Sequence, residues 1–305
     1  MKSVVSYPER GNYGKSNWRG NTSGLIIKDL IQHFNIRTFI DVCEGSGTSG
    51  DVCKELGVRY LGLDLHKMFD FTKHSVRKQA LQYFGSEADM VFSHFPYFTM
   101  IDYAAERAKH GKSSLLNSID TSLITDYDEF IEMSALALNN QREGARNGGF
   151  YSTLIGDYRK NGNFYSIQSD FIQMMPRNEL VSVVIKQQHN CVSDNRTYSG
   201  NFIPITHEYL LVWRKKDATM FAVAYDKATQ IQTSLNQTWR NAIRMAFIES
   251  GKNTTTLSEI YDRVISVAPD KIKNNDNFTA KIRQTLQRHF DNVTRGVWGL
   301  NMNLA

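Results

Sequence analysis

A glycine-rich turn at residues 41–50 has the residue types and spacing of a binding site in this 305-residue chain. Its sequence is Asp-Val-Cys-Glu-Gly-Ser-Gly-Thr-Ser-Gly, so that Gly45, Gly47 and Gly50 satisfy the spacing G-x-G-x-x-G. Glycines let the backbone turn tightly and approach a ligand closely, and the N-terminus of the helix that follows attracts negatively polarised groups. The turn therefore predicts a site for a nucleotide-like cofactor. A purely structural tight turn is the alternative.

Acidic residues around this turn bear on which cofactor it would hold. Asp64 ends the next predicted strand, where a carboxylate can accept hydrogen bonds from both ribose hydroxyls. A dinucleotide and S-adenosylmethionine both satisfy that pattern. Asp41 and Glu44 favour S-adenosylmethionine, because these acids would repel a pyrophosphate but can bind the ammonium group of methionine. Further upstream, Arg19 suits the methionine carboxylate and Trp18 suits a pocket wall, unless this loop only packs on the sheet edge. The predicted cofactor-binding residues are Trp18, Arg19, Asp41, Glu44, Gly45, Ser46, Gly47, Thr48, Asp64 and Leu65.

A second candidate segment, Ser93-His94-Phe95-Pro96-Tyr97, follows a predicted buried strand, Asp89 to Phe92. His94 can serve as an acceptor when it is neutral and in the correct tautomer. The alternative is a strand end with a buried aromatic turn.

The elements that must position these segments alternate between strand and helix. Residues 1–24 are predicted to form an ordered loop, and Ser23 caps a helix from Leu25 to Phe34. Strands at 38–42 and 59–64 flank a helix at about 50–56, which indicates a parallel sheet covered by helices. Residues 105–147 are predicted to be helical. Late strands at 150–155, 179–186 and 208–214 complete the sheet, the last two as a predicted antiparallel edge.

The last quarter of the chain differs in pattern and in charge. A polar linker at 218–234 separates a first domain, 1–217, from a second, 235–305. The second has predicted helices at 239–250, after Thr256 and after Asn277, and a short terminal strand at 295–300, which together describe a winged-helix-like module. From residue 230 onward ten basic residues stand against six acidic ones, whereas the whole chain carries +5. A basic module of this kind suits a phosphate backbone, although many solvated helix faces are also basic.

The two coupled motifs resemble those of the DNA amino-methyltransferases, over about residues 1–215. The glycine turn corresponds to the family's cofactor motif, Asp64 to its ribose acid, and residues 94–97 to its catalytic tetrapeptide of a polar residue, two prolines and an aromatic. The resemblance implies a Rossmann-like α/β class I methyltransferase sheet, S-adenosylmethionine as cofactor and base flipping. It implies His94, or Ser93 with it, and the carbonyl of Phe95 as amine acceptors, Pro96 as a stiffener and Tyr97 as the stacking platform. Such acceptors favour a tetrahedral nitrogen in an exocyclic base amine, which is otherwise a poor nucleophile because its lone pair is delocalised into the ring. His94 and Phe95 depart from the usual Asp or Asn and first proline.

The terminal segment resembles the HARE-type helix-turn-helix domain, which implies DNA contact. The resemblance includes Trp239, Leu257 to Tyr261, Lys281 to Leu286 and Arg295 to Leu300. The predicted DNA-binding residues are Lys186, Asn190, Lys281, Arg283 and Arg295. The expected function is site-specific adenine-N6 methylation of double-stranded DNA. The alternatives are cytosine-N4 methylation, a catalytically degenerate DNA-binding protein, a protein-interaction role for the terminal module, and a nicotinamide-dependent oxidoreductase built on the same turn.

Composition excludes several other classes. Hydrophobic residues make up 41% and charged residues 22% of the chain, as in globular domains, and no run of eighteen apolar residues predicts a membrane span. Three scattered cysteines predict neither a disulfide framework nor a zinc site. We expect reduced thiols, a cytoplasmic, nucleoid-associated protein, and no metal, because a sulfonium is already an activated leaving group. A homodimer and a cognate restriction system are further expected partners.

Overall fold

The protein divides into two compact units, Met1–Asp217 and Ala218–Ala305. The structure is a computed structural model that describes residues 1–113, 118–189, 201, 203–216, 238–250, 252, 254–273 and 275–299. The predicted linker at 218–234 and Asn190 lie outside these residues. In the described part of the chain, no helix combines the length and the apolar character that crossing a membrane requires.

A seven-stranded sheet organises the first unit, in the order β1-β8-β9-β5-β4-β2-β3. All its strands run parallel except β9, which is antiparallel to both of its neighbours. The fold is thus the predicted Rossmann-like α/β sheet. Its strands are β1 (Val4–Ser6), β2 (Thr38–Asp41), β3 (Arg59–Gly62), β4 (Ala88–His94), β5 (Ala145–Ile155), β8 (Leu180–Gln187) and β9 (His207–Arg214), and a separate hairpin consists of β6 (Tyr158–Lys160) and β7 (Asn163–Tyr165).

Helices cover the sheet: α1 (Gly24–Phe34), α2 (Thr48–Leu56), α3 (Val76–Phe84), α4 (Tyr103–Lys109), α5 (Tyr127–Gly144) and α6 (Ile167–Met174). Side chains alternate across β4, so that Val91 belongs to one apolar core and Met90 and Phe92 belong to a second. Both cores are buried, and packing on both faces of the sheet fixes the position of the C-terminal end of β4. Ser23 caps α1 by accepting a hydrogen bond from the N–H of Leu25 at 3.2 Å.

Three local predictions need correction. Residues 4–6 form an edge strand, β1, inside the predicted loop, because Val5 pairs with Lys186 in parallel register. The predicted helical region at 105–147 is divided into α4 and α5. The last two strands pair antiparallel as predicted, but they do not form the edge of the sheet, since β1 lies outside β8.

The second unit has its own core, which includes Ile243, Phe247, Ile260, Leu286 and Trp298. Its elements in order are α7 (Trp239–Ser250), β10 (Thr254–Thr256), α8 (Leu257–Val267), α9 (Pro269–Lys273), α10 (Phe278–His289), β11 (Asp291–Thr294) and β12 (Val297–Gly299). The strands form an antiparallel sheet in the order β10-β12-β11. A capping box between Thr256 and Glu259 starts α8, as the sequence predicts for this position.

Candidate active site

A cavity of about 880 Å³ opens at the carboxyl ends of β2, β3 and β4. Asp41 lies at the end of β2, Asp64 just after β3 and His94 at the end of β4. This edge of a parallel sheet is where ligands of such folds bind, because loops can open there between adjacent strands. Ten of the predicted residues line the cavity: Trp18, Asp41, Glu44, Gly45, Ser46, Thr48, Asp64, Leu65, His94 and Pro96.

The glycine turn leads from β2 into α2 with the backbone geometry that its glycines allow. Gly45 and Gly47 have φ angles of 55° and 94°, in the left-handed region that other residues rarely adopt. The N–H of Gly45 donates to Asp64 Oδ2 at 2.9 Å, which ties the turn to the end of β3. Gly47 is not among the lining residues, but it begins α2.

Asp64 is held in place by its neighbours. Its Oδ1 lies 2.7 Å from Nδ1 of His66 and accepts the N–H of His66 at 3.1 Å. Burial raises the pKa of Asp64, but the hydrogen bonds from His66 and Gly45 lower it more, so the net pKa is below its usual value. Asp64 is therefore an oriented carboxylate, with its charge available to hydroxyl groups in the cavity.

Beside the glycine turn, a wall of the cavity is built on Trp18. Its indole stacks on His110 with ring centroids 4.8 Å apart, and Nζ of Lys112 lies 4.8 Å from its ring centroid. Lys112 Nζ also lies 2.9 Å from Nε2 of His66. The prediction that Trp18 walls the pocket agrees with this placement. Arg19 differs from expectation, because it is exposed and is not among the lining residues.

Acidic side chains dominate the charge in the cavity. The lining acids are Asp41, Glu44, Asp64, Asp70 and Asp120. Arg107, which also lines the cavity, donates to Asp120 Oδ2 at 2.5 Å and is neutralised by it. Burial raises the pKa of Asp41 to about 7. The cavity is thus suited to a ligand with cationic groups and disfavours a pyrophosphate.

The second motif divides between the cavity and the core. His94 and Pro96 line the cavity, whereas Ser93 is buried and lies 3.0 Å from both Gln141 Oε1 and Thr153 Oγ1. Ser93 is therefore not the amine acceptor that the resemblance implied, because strand alternation turns its hydroxyl into the core. Phe95 has no exposed surface and its N–H donates to Leu154 O at 3.2 Å, so the segment is fixed to β5.

Tyr97 occupies a different place from the predicted stacking platform. Its hydroxyl donates to Glu208 Oε1 at 2.7 Å and lies 3.0 Å from Nε2 of His94, and Tyr97 is not a lining residue. Lys186, predicted to contact DNA, is buried, and its Nζ donates to Glu208 Oε2 at 2.7 Å. The ammonium of Lys186 is therefore paired inside the protein and is not presented to a phosphate backbone.

Sequence reasoning missed part of the lining. Five lining residues come from α4 and from the segment after residue 118, a region that the sequence pattern predicts to be continuously helical. They are Tyr103, Arg107, Ile119, Asp120 and Thr121. Asp102 and Asp120, which cap their following turns, are signals that could have divided that region. Phe69, Asp70, Phe71 and Thr72 also line the cavity and carried no recognised motif.

The remaining predicted residues lie in the second unit. Lys281, Arg283 and Arg295 are exposed there. Nε of Arg283 donates to the hydroxyl of Tyr261 at 2.6 Å, which orients the guanidinium on the surface of α10. These three side chains are thus accessible to a polyanion.

No family model and no curated protein matches the chain. Solved structures with a similar fold include a protein of Thermus thermophilus assigned as a DNA modification methylase (19% identity, 47% of this chain, 51% of that chain, TM-score 0.30). A form of that protein in complex with S-adenosyl-L-methionine gives 16% identity over 47% and 54% of the two chains, with a TM-score of 0.30. An rRNA methylase of Streptococcus thermophilus gives 10% identity over 63% and 96%, with a TM-score of 0.32. The alignment spans about half the length of the first protein. Similarity at these identities concerns the fold alone.

Proposed function

We propose that this protein is an S-adenosylmethionine-dependent methyltransferase that methylates an exocyclic base amine of double-stranded DNA, with adenine N6 as the favoured target. The observation that carries the proposal is that Gly45 and Asp64 on one side, and His94 and Pro96 on the other, line one cavity. A cofactor-binding turn and a candidate amine acceptor therefore face the same space.

The donor set of the cavity fits S-adenosylmethionine better than a nicotinamide dinucleotide. Asp64 suits a ribose and Asp41 suits the ammonium charge of the cofactor, while Glu44, which already pairs with Lys67, adds to the acidic lining. A dinucleotide would place its pyrophosphate beside these acids, with Arg107 already paired to Asp120. Trp18 offers an aromatic face to the same space.

When bound, S-adenosylmethionine supplies an electrophilic methyl group on a sulfonium. The chain's own part is to hold the target amine. His94 accepts one N–H, which draws the nitrogen lone pair out of conjugation, whereas Phe95, the second acceptor that the resemblance implies, is buried and does not line the cavity. Phe69, Phe71 and Tyr103 replace Tyr97 as the aromatic lining against which a flipped base packs. The acidic lining of the cavity attracts the cationic reactant.

The second unit supports duplex binding. Its order of helix, strand, three helices and two strands, with a three-stranded antiparallel sheet, is that expected of a winged-helix-like module. Exposed Lys281 and Arg283 on α10 and Arg295 between β11 and β12 then supply phosphate contacts. We therefore assign capture of DNA to this unit.

Titration calorimetry with S-adenosylmethionine and with NADH tests the cofactor assignment. We expect binding of the first, and a loss on the order of 10-fold or more in Asp64→Ala, because a buried charge-assisted hydrogen bond contributes about 1.5–3 kcal/mol. Glu55→Gln, an exposed change on α2 away from the cavity lining, is the matched control. Binding of NADH in place of S-adenosylmethionine, or unchanged affinity in Asp64→Ala, would contradict the assignment.

A further inference from the structure

A hydrogen-bond network that includes the side chains of Lys186, Gln188, Glu208 and Tyr97 connects the end of β8 to His94. Lys186 on β8 donates to Glu208 Oε2 on β9 at 2.7 Å. Glu208 Oε1 accepts from the hydroxyl of Tyr97 at 2.7 Å and from Nε2 of Gln188 at 2.8 Å. Tyr97 Oη in turn lies 3.0 Å from Nε2 of His94. Lys186 and Glu208 are 8% and 6% exposed, so this ion pair is shielded from solvent, whereas Gln188, Tyr97 and His94 are partly buried.

The direction of each hydrogen bond in the network follows from proton counting. Burial raises the pKa of Glu208, but Lys186 and the other partners lower it more, to about 2. Glu208 is therefore a carboxylate, which only accepts hydrogen bonds. The single hydroxyl proton of Tyr97 must point to Glu208, because two acceptors at 2.7 Å would otherwise repel each other. The oxygen of Tyr97 is then the acceptor for His94, whose Nε2 must carry the proton.

Neutral imidazole has one protonated and one unprotonated nitrogen. Burial lowers the pKa of His94 to about 4, so the ring is neutral at physiological pH. With the proton on Nε2, the lone pair is on Nδ1. His94 lines the cavity, whereas Tyr97, Lys186 and Glu208 do not.

We propose that Tyr97, Glu208 and Lys186 are positioning residues that hold His94 in the Nε2–H tautomer, which leaves Nδ1 as the acceptor for a substrate N–H. This inference rests on the proposed function for the identity of that substrate. It removes the objection that a histidine in place of Asp or Asn could present a donor to the amine. It also explains the burial of a Lys–Glu pair at the end of β8 and the start of β9, where the sequence predicts that Lys186 contacts DNA.

The network also restricts the class of substrate. A hydroxyl or thiol must lose its proton to become an efficient nucleophile, and this requires a base whose pKa is near the working pH. The low pKa of His94 makes it a poor base at neutral pH, whereas it still accepts a hydrogen bond. An amino group needs an oriented acceptor and not prior deprotonation, because the methylated nitrogen releases its extra proton to water after the transfer. The Nδ1 acceptor of His94 is therefore suited to an amino group.

Nitrogen-15 NMR of the full chain labelled at histidine tests the tautomer directly, because the two ring nitrogens give different shifts when protonated and unprotonated. The His94 signals are assigned by their loss in His94→Asn. We expect the Nε2–H form in the wild type. In Glu208→Gln the new amide can donate to Tyr97, whose hydroxyl then turns to His94 Nε2, and the Nδ1–H form should predominate. Methyl transfer should fall by about 100-fold in the same variant.

Tyr97→Phe retains the Lys186–Glu208 pair and removes the hydroxyl alone. It therefore tests the network even if Glu208→Gln fails to fold. We expect a mixture of tautomers in Tyr97→Phe. Glu55→Gln on the surface of α2 should leave the His94 signals unchanged. An Nδ1–H signal in the wild type, or an unchanged tautomer in both network variants, would overturn the inference. An Nε2–H wild type that methylates hydroxyl groups and no amine would instead overturn the proposed function and leave the tautomer assignment intact.

Discussion

The hydroxyl of Ser49 donates a hydrogen bond to Asp41 Oδ2 at 2.5 Å, inside the turn that joins β2 to α2. The N–H of Cys43 donates to the other oxygen, Asp41 Oδ1, at 2.9 Å. Both donors favour the ionised form, yet burial outweighs them and the pKa of Asp41 is raised from 3.8 to about 7. Asp41 is thus the acid of the cavity that titrates closest to physiological pH.

The raised pKa of Asp41 predicts a pH dependence of stability. Because the folded protein binds this proton more tightly than the unfolded chain, the contribution is complete below pH 3.8 and is lost as the pH rises through about 7. The free energy of unfolding of the wild type should therefore decrease between about pH 5 and about pH 8 relative to that of Asp41→Asn, which cannot ionise. Urea unfolding at the two pH values measures this difference. Parallel pH profiles for the two proteins would contradict it.

Gly45 is predicted to be essential for the shape of the cofactor site. A Cβ at this position would lie 3.0 Å from Nε1 of Trp18, and its φ of 55° adds a backbone cost of about 1–2 kcal/mol in Gly45→Ala. Gly57→Ala is the matched control, since Gly57 has a φ of 68° and open space around its Cβ position. Both variants should lose similar stability, but Gly45→Ala alone should weaken S-adenosylmethionine binding in calorimetry. Equal affinities in the two variants would show that the turn does not contact the cofactor.

His94 and Ser93 are predicted to behave differently despite being adjacent. His94→Ala removes the acceptor and should lower methyl transfer by on the order of 100-fold, while His94→Asn, which restores an acceptor oxygen, should retain more activity. Ser93→Ala breaks buried hydrogen bonds to Gln141 and Thr153 and should cost about 1–2 kcal/mol of stability without loss of transfer. Rates with labelled cofactor and unfolding curves separate the two effects. A larger loss of rate in Ser93→Ala than in His94→Ala would reverse the assignment.

The exposed cations of the second unit are predicted to contact phosphates. Replacing Lys281, Arg283 or Arg295 by Gln should weaken DNA binding similarly for different sequences and reduce the slope of log K against log salt by about 1 each. Lys28→Gln, which removes a partly exposed cation of α1 that pairs with Glu55, is the control and should leave the slope unchanged. Fluorescence anisotropy over a range of salt concentrations measures the slopes. A greater effect of Lys28→Gln would place the DNA surface on the other unit.

The local motifs of the site were predictable from the sequence because they depend on residues close in the chain. Gly45 and Gly47, the end of β3 at Asp64 and the end of β4 at His94 follow from strand and turn patterns. The inward direction of Ser93 also follows from alternation along β4, since Val91 and Ser93 share a face opposite to Phe92 and His94. That signal was present in the sequence but was outweighed by the family resemblance.

Contacts between distant segments were not predictable in this way. The pairing of Lys186 with Glu208 depends on the register of β8 against β9, which includes an irregularity between Leu180 and Ser182. The hydrogen bond from the hydroxyl of Tyr97 to Glu208 depends on the same register, because the register fixes the position of Glu208. In the same way, the stacking of Trp18 on His110 depends on tertiary packing, which no local sequence pattern predicts. The whole sequence determines these contacts through the fold, and no short segment of it predicts them.

The most direct test of the account is to incubate the purified chain with methyl-labelled S-adenosylmethionine and unmethylated duplex DNA and to identify the labelled nucleoside after digestion. The cavity shared by Asp64 and His94 predicts labelled N6-methyldeoxyadenosine, and labelled N4-methyldeoxycytidine would correct the base while preserving the amine chemistry. No labelled nucleoside, from protein that binds both the cofactor and DNA, would contradict the central claim and identify the chain as a binding protein with a methyltransferase-like fold.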